Sequence, residues 1–321
     1  MEKKILIIGS KGMLGQELVK MYTREDGYDV TAWDKEDVDV TDVADLKGQI
    51  MDLYPDVIYN AVAYNAVDAC EEDDIEYDKA VELNVDLPRN LAQIAKTLQA
   101  TLVHYSTDYV FDGKKPVYKD GGDGPQCCGS SCRGCMYRGD EDGFEYFAYA
   151  EDDLPRPLSR YGKTKYEGER EVEKHATDFY IFRLSKLFGA PAASSIGKKS
   201  FFDMMQEKGR EAEKSGETIK AVHGEMSKFT YAPDLARESK AIIEDGEESG
   251  IYHIVNDGAC TWYDGVKTLY DILGINVNVE QVTPDTWPRP AKRPDASVLS
   301  VTKRLPLRHY KEALYEYLND K

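Results

Sequence analysis

A tyrosine and a lysine four positions apart form the first pair in this sequence whose types and spacing could do chemistry. The stretch YGKTK predicts that Tyr161 and Lys165 lie on one face of a helix, where residues i and i+4 are neighbours. A lysine ammonium beside a phenol lowers the tyrosine pKa from its usual value of about 10, and the phenol can then give or take a proton. Because such pairs also arise by chance on many helices, the pair indicates acid–base chemistry only together with other signals.

A hydroxyl group at the end of a predicted strand supplies one such signal. The stretch ATLVHYSTDYVF, residues 100–111, predicts a strand that runs into a loop at Thr107. In open α/β sheets, ligands bind beyond the carboxyl ends of the strands. A hydroxyl there can donate to a substrate carbonyl oxygen and polarise it. We therefore predict that Thr107, Tyr161 and Lys165 are the catalytic residues.

Three glycines near the start of the chain indicate a second function, the binding of a dinucleotide. The stretch GSKGMLG places Gly9, Gly12 and Gly15 between a predicted strand and a predicted helix. The chain must turn sharply there and its backbone must approach a pyrophosphate, and both needs favour residues without Cβ. The N–H groups at the start of the helix would face the phosphates. An ordinary glycine-rich turn is the alternative.

A carboxylate at the end of the second predicted strand strengthens the dinucleotide interpretation. Asp34 follows the run YDVTAW about 20 residues after the glycines, where it can accept hydrogen bonds from the adenosine ribose hydroxyls. Lys35 could pair with a 2′-phosphate, so both NADPH and NADH remain open, and a solvated surface lysine is the other interpretation. Asp39 and Val40 come next, where the edge of an adenine could be held.

The elements that must position these residues alternate between short apolar runs and longer amphipathic runs. Predicted strands are KILIIG, YDVTAWD, PDVIYNAVA, ATLVHYSTDYVF and FYIFRLS, and a long helix is predicted over DKAVELNVDLPRNLAQIAKTL, with Pro88 as a bend. This alternation predicts βαβ units, hence an α/β fold with a parallel sheet covered by helices on both faces. Between residues 121 and about 150 neither a helical nor a strand period is visible, which predicts a loop insertion.

Four of the six cysteines lie in that insertion. The candidates are Cys127, Cys128, Cys132 and Cys135. Cys132 and Cys135 have the spacing of half a zinc site or of a dithiol, and Cys128 with Cys132 could supply the other half. Four ligands within nine positions are tight for a separate tetrahedral site, because zinc modules usually separate the two pairs by a longer span. Zinc binding, redox or disulfide chemistry, and uncommitted thiols are all left open.

Composition narrows the class of protein further. The chain has 321 residues, 41% of them hydrophobic, and a formal net charge of −18. Binding to nucleic acid or to an anionic membrane depends on Lys and Arg, so this charge argues against both, although one anionic small molecule could still bind in a basic pocket. The start MEKKILIIG indicates a buried strand rather than a signal peptide, and no apolar run approaches the length of a membrane span. A cytoplasmic location follows as the expectation.

Several longer motifs resemble the extended short-chain dehydrogenases/reductases. Besides the glycine loop, these are NAVAYNAVDACE, HYSTDYVFDG, YGKTKYEGE, IFRLSKLFG, GIYHIVNDGACTWYD and RPAKRPDASVLS, which together span nearly the whole chain apart from the insertion. The resemblance implies a Rossmann-like doubly wound sheet in residues 1–190, with a Cys-rich loop insertion at about 121–150. It also implies a smaller substrate-binding lobe in residues 191–321, some of whose segments return to the first domain.

The same resemblance implies an activity and a set of site residues. The activity is reduction by NADPH or NADH of the C4 ketone of a nucleotide-activated 6-deoxy-4-keto-hexose. Tyr161 would protonate the alkoxide, Lys165 would tune Tyr161 and hold the nicotinamide ribose, and Thr107 would polarise the ketone. Cofactor contacts would come from Gly9, Lys11, Gly12, Met13, Leu14, Gly15, Asp34, Lys35, Asp39, Val40, Ala61, Ala63, Tyr64, Asn65, Tyr161 and Lys165, and substrate contacts from Val67, Asp68, Thr107, Asp108, Tyr109 and Lys186.

Departures from the family pattern bear on the choice of reaction and substrate. Dehydratases of this superfamily carry an Asp-Glu pair after the threonine, whereas Tyr109 follows Asp108 here, which favours reduction over elimination. Lys186 stands where relatives have a tryptophan that contacts the sugar nucleotide. The stretch GEMSKFTY, residues 224–231, stands where the family usually has Asp-Gln-x-Gly-x-Pro-Thr. An epimerase or reductase of another nucleotide sugar, and a non-catalytic regulatory subunit, remain alternatives. A homodimer is also left open.

Overall fold

The computed structural model describes residues 2–114, 137–139, 145–194 and 199–320, and over 137–139 and 145–147 it describes the backbone only. The helices are α1 Met13–Tyr22, α2 Val43–Leu53, α3 Val67–Glu72, α4 Asp74–Val81, α5 Leu87–Leu98, α6 Arg160–His175, α7 Phe201–Ser215, α8 Ala232–Glu244, α9 Trp262–Leu273 and α10 Tyr310–Asn319. The strands are β1 Lys3–Ile8, β2 Tyr28–Trp33, β3 Val57–Asn60, β4 Thr101–Thr107, β5 Tyr137–Gly139, β6 Glu145–Phe147, β7 Phe179–Leu184, β8 Leu187–Phe188, β9 Ile219–Val222, β10 Ser227–Lys228, β11 Thr230–Tyr231, β12 Gly250–His253, β13 Asn256–Asp257, β14 Ala259–Cys260, β15 Val279–Val282 and β16 Leu307–His309.

Six strands form the central sheet, in the order β12-β7-β4-β3-β1-β2. Every neighbouring pair in this sheet is parallel. The chain goes from β1 to β2 on one side and then crosses to β3 on the other side of β1. This reversal of direction opens a crevice beyond the carboxyl ends of the strands, where ligands bind in such sheets. The predicted α/β fold with a parallel sheet is confirmed.

Helices cover both faces of the sheet because its strands are apolar on both sides. On one face, α1 and α8 bury Leu18 and Leu235 against β1 and β7. On the other face, α2 and α5 bury Ile50 and Leu91, and Val172 of α6 joins them. A sheet buried on both faces has strands that are nearly continuous apolar runs, as in KILII. Helix α6, which contains Tyr161 and Lys165, is therefore anchored directly to the sheet.

The prediction of one long helix across Pro88 is wrong in one respect. The structure has α4, then a turn of π-helix at Glu82–Asp86, then α5. Proline has no N–H to donate and its ring crowds the preceding turn. A single widened turn accommodates both effects, and such π-bulges often occur near functional sites.

The C-terminal part of the chain has its own apolar core. Phe188, Phe202, Phe229 and Tyr310 are fully or almost fully buried there, among α7, α9 and α10 and several two-stranded pairs. Strand β12, by contrast, pairs with β7 and forms an edge of the central sheet. The division at residue 190 stays a prediction.

The insertion contains a short hairpin where no regular structure was predicted. Strands β5 and β6 pair antiparallel, with Tyr137 opposite Phe147. These strands are rich in aromatic residues, which favour pleated backbone. Each has only three residues, too few for the period of two to stand out in the sequence. Directly after the hairpin, Tyr149 bridges to Leu299 in the C-terminal part of the chain.

Candidate active site

A cavity of about 870 Å³ lies at the carboxyl ends of the central strands. Its walls follow the ends of β1, β2, β3, β4 and β7. It is lined by most of the residues predicted to bind the cofactor, namely Gly9, Gly12, Met13, Leu14, Asp34, Lys35, Asp39, Val40, Ala61, Ala63, Asn65, Tyr161 and Lys165. Thr107 and Lys186, from the predicted substrate set, line the same cavity.

The glycine loop has the tight geometry that a phosphate-binding turn needs. Gly9 has a φ of +84°, a conformation that side chains with Cβ rarely adopt. The Gly12 N–H donates to the Gly9 carbonyl oxygen at 3.0 Å. A Cβ placed on Gly15 would lie 2.0 Å from that same carbonyl oxygen. The first turn of α1 can therefore pack against the loop only without a side chain at position 15, which leaves the backbone free to approach a pyrophosphate.

We expect Gly15→Ala to weaken cofactor binding about tenfold or more, since the loop must shift and overpacking of this kind costs roughly 1–3 kcal/mol. Fluorescence titration of NADPH and NADH measures the effect. Gly48→Ala is the matched control, because Gly48 lies within α2 and a Cβ there meets nothing within 4 Å. Equal affinities for the two variants would contradict the assignment of the loop.

Asp34, which is predicted to bind the ribose of the cofactor, is held firmly at the cavity wall. Asp34 accepts hydrogen bonds from the backbone N–H groups of Lys11 and Lys35, at 2.8 and 2.9 Å. The Lys11 ammonium pairs with Glu36 at the surface, and its role as a cofactor contact stays a prediction. Tyr64 also stands outside the cavity lining, with its hydroxyl bonded to Glu76.

Tyr161 is buried, with 7% of its surface exposed, and it lines the cavity. The hydroxyl donates to the Asn65 Oδ1 at 3.2 Å. Burial raises the pKa of Tyr161 well above its usual range, a hydrogen bond with Thr107 lowers it, and the nearby Asp108 carboxylate raises it again. A phenol with a raised pKa keeps its proton, which is the form that the predicted role of Tyr161 requires.

Lys165 lies one helical turn further along α6 and is almost completely buried. Its ammonium donates to the backbone carbonyl oxygen of Tyr105 at 2.7 Å. Burial lowers the pKa of Lys165 to about 8. The structure places both residues of the YGKTK pair at one cavity. The lowering of the Tyr161 pKa by Lys165 stays a prediction, since the hydrogen bond of the ammonium goes to the backbone of β4.

Local features explain why α6 begins just before Tyr161. The Ser159 hydroxyl caps the helix by accepting from the Gly162 N–H at 3.1 Å. A Cβ on Gly162 would lie 2.4 Å from the Tyr109 carbonyl oxygen. Glycine there lets α6 approach the segment that follows β4, which brings Tyr161 close to Thr107.

The other predicted substrate residues stand outside the cavity lining. Asp68 forms an ion pair with Arg293 and accepts from the Ala291 N–H, and the hydrogen bond from Arg293 lowers the pKa of its carboxyl. Tyr109 packs the edge of its ring against Tyr161, with centroids 6.1 Å apart. Val67 packs in the same small cluster as Tyr161, and Asp108 is buried behind Thr107. Their roles as sugar contacts stay predictions.

Lys186 is half-buried in the cavity wall, with a left-handed backbone at φ +40°. Its ammonium donates to the carbonyl oxygens of Cys260 and Glu225, at 3.0 and 3.3 Å. It also lies 4.5 Å from the centre of the Trp262 ring, a distance typical of a cation–π contact. Burial lowers the pKa of Lys186. Lys186 thus holds neighbouring segments of the chain together at the cavity wall.

Two polar residues of the site are absent from the predicted site residues. Asn84, in the π-helical turn, is fully buried and bonds both the N–H and the carbonyl oxygen of Tyr64. It therefore shapes the loop that carries Asn65. Ser106 lines the cavity beside Thr107, and its hydroxyl has no partner among the described residues. The Ser-Thr dipeptide at the end of β4 could have pointed to Ser106, whereas no local feature of the sequence distinguishes Asn84.

The cysteine predictions fall outside the described residues. Cys127, Cys128, Cys132 and Cys135 all belong to the segment that the structure does not describe. Within the described part, Cys70 and Cys260 are free and buried, and no cluster of three or more His, Cys, Asp or Glu side chains there could hold a metal ion.

A doubly wound parallel sheet, a glycine turn at its crevice, and a buried tyrosine beside a strand-end threonine define a dinucleotide-dependent oxidoreductase of the short-chain class. The family model described as "RmlD substrate binding domain" matches residues 3–134 and 135–321. The chain belongs to this family.

Named relatives agree with that placement. The chain is 30% identical to the dTDP-4-dehydrorhamnose reductase of Aggregatibacter actinomycetemcomitans, over 94% of this chain and 91% of that protein. A crystal structure of a dTDP-4-dehydrorhamnose reductase from Clostridium acetobutylicum superposes with a TM-score of 0.81 at 33% identity, covering 98% of each chain. The enzyme from Bacillus anthracis, solved in complex with NADP, gives a TM-score of 0.83 at 26% identity and covers both chains fully.

Proposed function

We propose that this chain reduces the C4 ketone of a nucleotide-linked 6-deoxy-4-keto-hexose with NADPH or NADH. The best candidate reaction is dTDP-4-dehydro-L-rhamnose to dTDP-L-rhamnose. One observation carries the proposal: a buried Tyr161 stands beside Thr107 in the cavity that the glycine turn opens. Relatives named as dTDP-4-dehydrorhamnose reductases, one of them solved with NADP, support the same reaction.

The chain's own residues suit this chemistry. A nicotinamide cofactor, when bound, supplies the hydride that adds to C4. Tyr161 then donates its proton to the C4 alkoxide oxygen. A positioned proton donor of this kind typically contributes 10²- to 10⁴-fold to the rate. Lys165, held against the carbonyl oxygen of Tyr105, places a positive charge near the tyrosinate that remains.

A second cavity, of about 540 Å³, suits the nucleotide part of such a substrate. It is lined by aromatic and apolar side chains and by three cationic ones, and its walls include Phe201, Met205, Lys208, Lys220, Trp262, Val266, Trp287 and Arg289. Aromatic rings can stack on a base, and Arg or Lys can pair with phosphate oxygens. Trp262 also contacts Lys186, which lines the first cavity. Trp262 thus connects the second cavity to a residue that lines the first.

The test is a panel of dTDP-, UDP-, GDP- and CDP-linked 4-keto sugars, each assayed by oxidation of NADPH and of NADH. We expect turnover of the dTDP-linked 4-keto-6-deoxy sugar, with product identity checked by NMR. If only a different nucleotide sugar were turned over, the proposed substrate would be wrong and the proposed type of reaction would stand. Cofactor binding without turnover of any sugar would favour a regulatory subunit and overturn the proposal.

The preference between NADPH and NADH remains part of the proposal, as do the cytoplasmic location and a homodimer. Zinc in the insertion stays a hypothesis, and metal analysis of protein purified without chelator tests it. Among the helices that the structure describes, none has the length and apolar character that a membrane span requires.

A further inference from the structure

The Asp34 carboxylate, at the wall of the first cavity, can accept two more hydrogen bonds. Its Oδ2 accepts from the Lys11 N–H at 2.8 Å and its Oδ1 from the Lys35 N–H at 2.9 Å. Neither oxygen has a further partner among the described residues, and an ionised carboxylate oxygen has two acceptor positions. One position thus remains on each oxygen. This pair of acceptors suits the adjacent 2′- and 3′-hydroxyls of a ribose, since each hydroxyl has a proton to donate.

A phosphate on the 2′-oxygen would meet Asp34 very differently. A phosphate monoester carries nearly two negative charges at pH 7 and presents acceptor oxygens. Like charges at hydrogen-bond distance repel each other even in water. The backbone N–H groups of Lys11 and Lys35 could otherwise bind a phosphate, but both already donate to Asp34. This corner of the cavity therefore has acceptors where a 2′-phosphate needs donors.

The charged side chains around this corner are mostly negative. The group consists of two lysines and four carboxylates, a formal net charge of −2, namely Lys11, Lys35, Asp34, Glu36, Asp37 and Asp39. The Lys11 ammonium is paired with Glu36 at 3.0 Å, and the charges of Glu36, Asp37 and Asp34 all act on it. Sites that accept a 2′-phosphate provide a cation for it. Here carboxylates outnumber the two lysines.

We propose that the first cavity selects NADH over NADPH. Asp34 binds the hydroxyls of the adenosine ribose and repels a 2′-phosphate, while Glu36 keeps the Lys11 ammonium paired. Glu36 does not line the cavity, and it acts on specificity through Lys11. The inference rests on the nicotinamide cofactor of the proposed reductase and is independent of which sugar is reduced.

The test begins with the affinities of the wild-type protein for NADH and NADPH, measured by fluorescence titration. We expect NADH to bind about tenfold or more tightly, because the 2′-phosphate brings like charges together. Adenosine 5′-monophosphate and adenosine 2′,5′-bisphosphate, each competing with NADH, isolate the effect of this phosphate and should show the same preference. Equal affinities, or tighter binding of the 2′-phosphorylated ligands, would overturn the proposal.

Two variants assign the preference to its residues. Asp34→Asn removes the charge and keeps the size, and it should move the ratio of affinities about tenfold toward NADPH. Glu36→Gln frees the Lys11 ammonium and should raise the affinity for NADPH about two- to fivefold, the modest effect of an exposed ion pair. Glu207→Gln is the matched control, since Glu207 forms an exposed pair with Lys199 on α7, outside the first cavity.

An Asp34→Asn protein with the wild-type ratio of affinities would overturn the role of Asp34, and an unchanged NADPH affinity in Glu36→Gln would overturn that of Glu36. If Asp34→Asn does not fold, the wild-type protein and Glu36→Gln still decide the question. All these titrations are made without a sugar substrate. A chain that turned over no sugar but preferred NADH would support this inference and refute the proposed reaction, whereas a reductase that bound both cofactors equally would do the reverse.

Discussion

Tyr161→Phe should lower turnover by about 10²-fold or more and leave cofactor affinity close to that of the wild type. The phenol oxygen is the proton donor of the proposed reduction, and positioned proton donors contribute on this scale. The ring itself packs against Tyr109 and Cys70, so phenylalanine preserves the packing. Steady-state kinetics with the preferred 4-keto sugar, together with titration of NADPH binding, measures both parts of the expectation.

Tyr166→Phe provides the matched control on the same helix. Tyr166 lies five residues further along α6 and packs beside Val110 and Phe111, away from the cavity. It should retain full turnover. If Tyr161→Phe also retained full turnover, the assignment of Tyr161 as the proton donor would be wrong. Equal losses in both variants would point to damage to the helix instead.

Glu169→Gln should cost about 3–5 kcal/mol of folding free energy, since it leaves a buried charge without its partner. The Glu169 carboxylate receives two hydrogen bonds from Arg183, at 2.9 and 2.7 Å, and both side chains are at most 2% exposed. Arg183 also lies over the Phe111 ring, 5.1 Å from its centre. Because Glu169 is on α6 and Arg183 on β7, the pair fixes α6 to the sheet. Urea unfolding monitored by circular dichroism measures the loss.

Two further variants distinguish two causes of lost stability: a buried charge without its partner, and the mere loss of an ion pair. Glu207→Gln breaks the exposed pair with Lys199 and should leave the unfolding midpoint unchanged. The double change Glu169→Met and Arg183→Met should recover much of the stability, because replacing both partners by apolar residues is often neutral. If Glu169→Gln alone were as stable as the wild type, the Glu169–Arg183 pair would not be what anchors α6 to the sheet.

Much of the candidate site could be predicted because its residues are close in sequence or follow one simple rule of the fold. The spacing of Gly9, Gly12 and Gly15 describes a local turn, and the spacing of Tyr161 and Lys165 describes one helix face. Parallel strands all end at the same edge of their sheet, so Thr107 and Asp34 were expected at one crevice. These are statements about neighbours along the chain, which local backbone geometry determines.

The other features of the site depend on hydrogen bonds between residues that are far apart in the sequence. Asp108 is bonded to residues 119 and 189 positions away, and Asp68 to one 225 positions away. No period or spacing in the sequence could have paired them, because loops of that length can close in many ways at similar entropic cost. The same holds for Lys186, whose ammonium finds its carbonyl acceptors only after distant segments have packed together.

Residue types at short range account for the class of fold, the dinucleotide turn and the Tyr161–Lys165 pair, so a reading of the sequence finds all three. The tertiary structure, by contrast, decided how Asp108 and Lys186 are held. It also decided which charges lie buried beside Tyr161. These depend on desolvation and on contacts between remote segments, and both arise only when the central sheet and the C-terminal part of the chain come together.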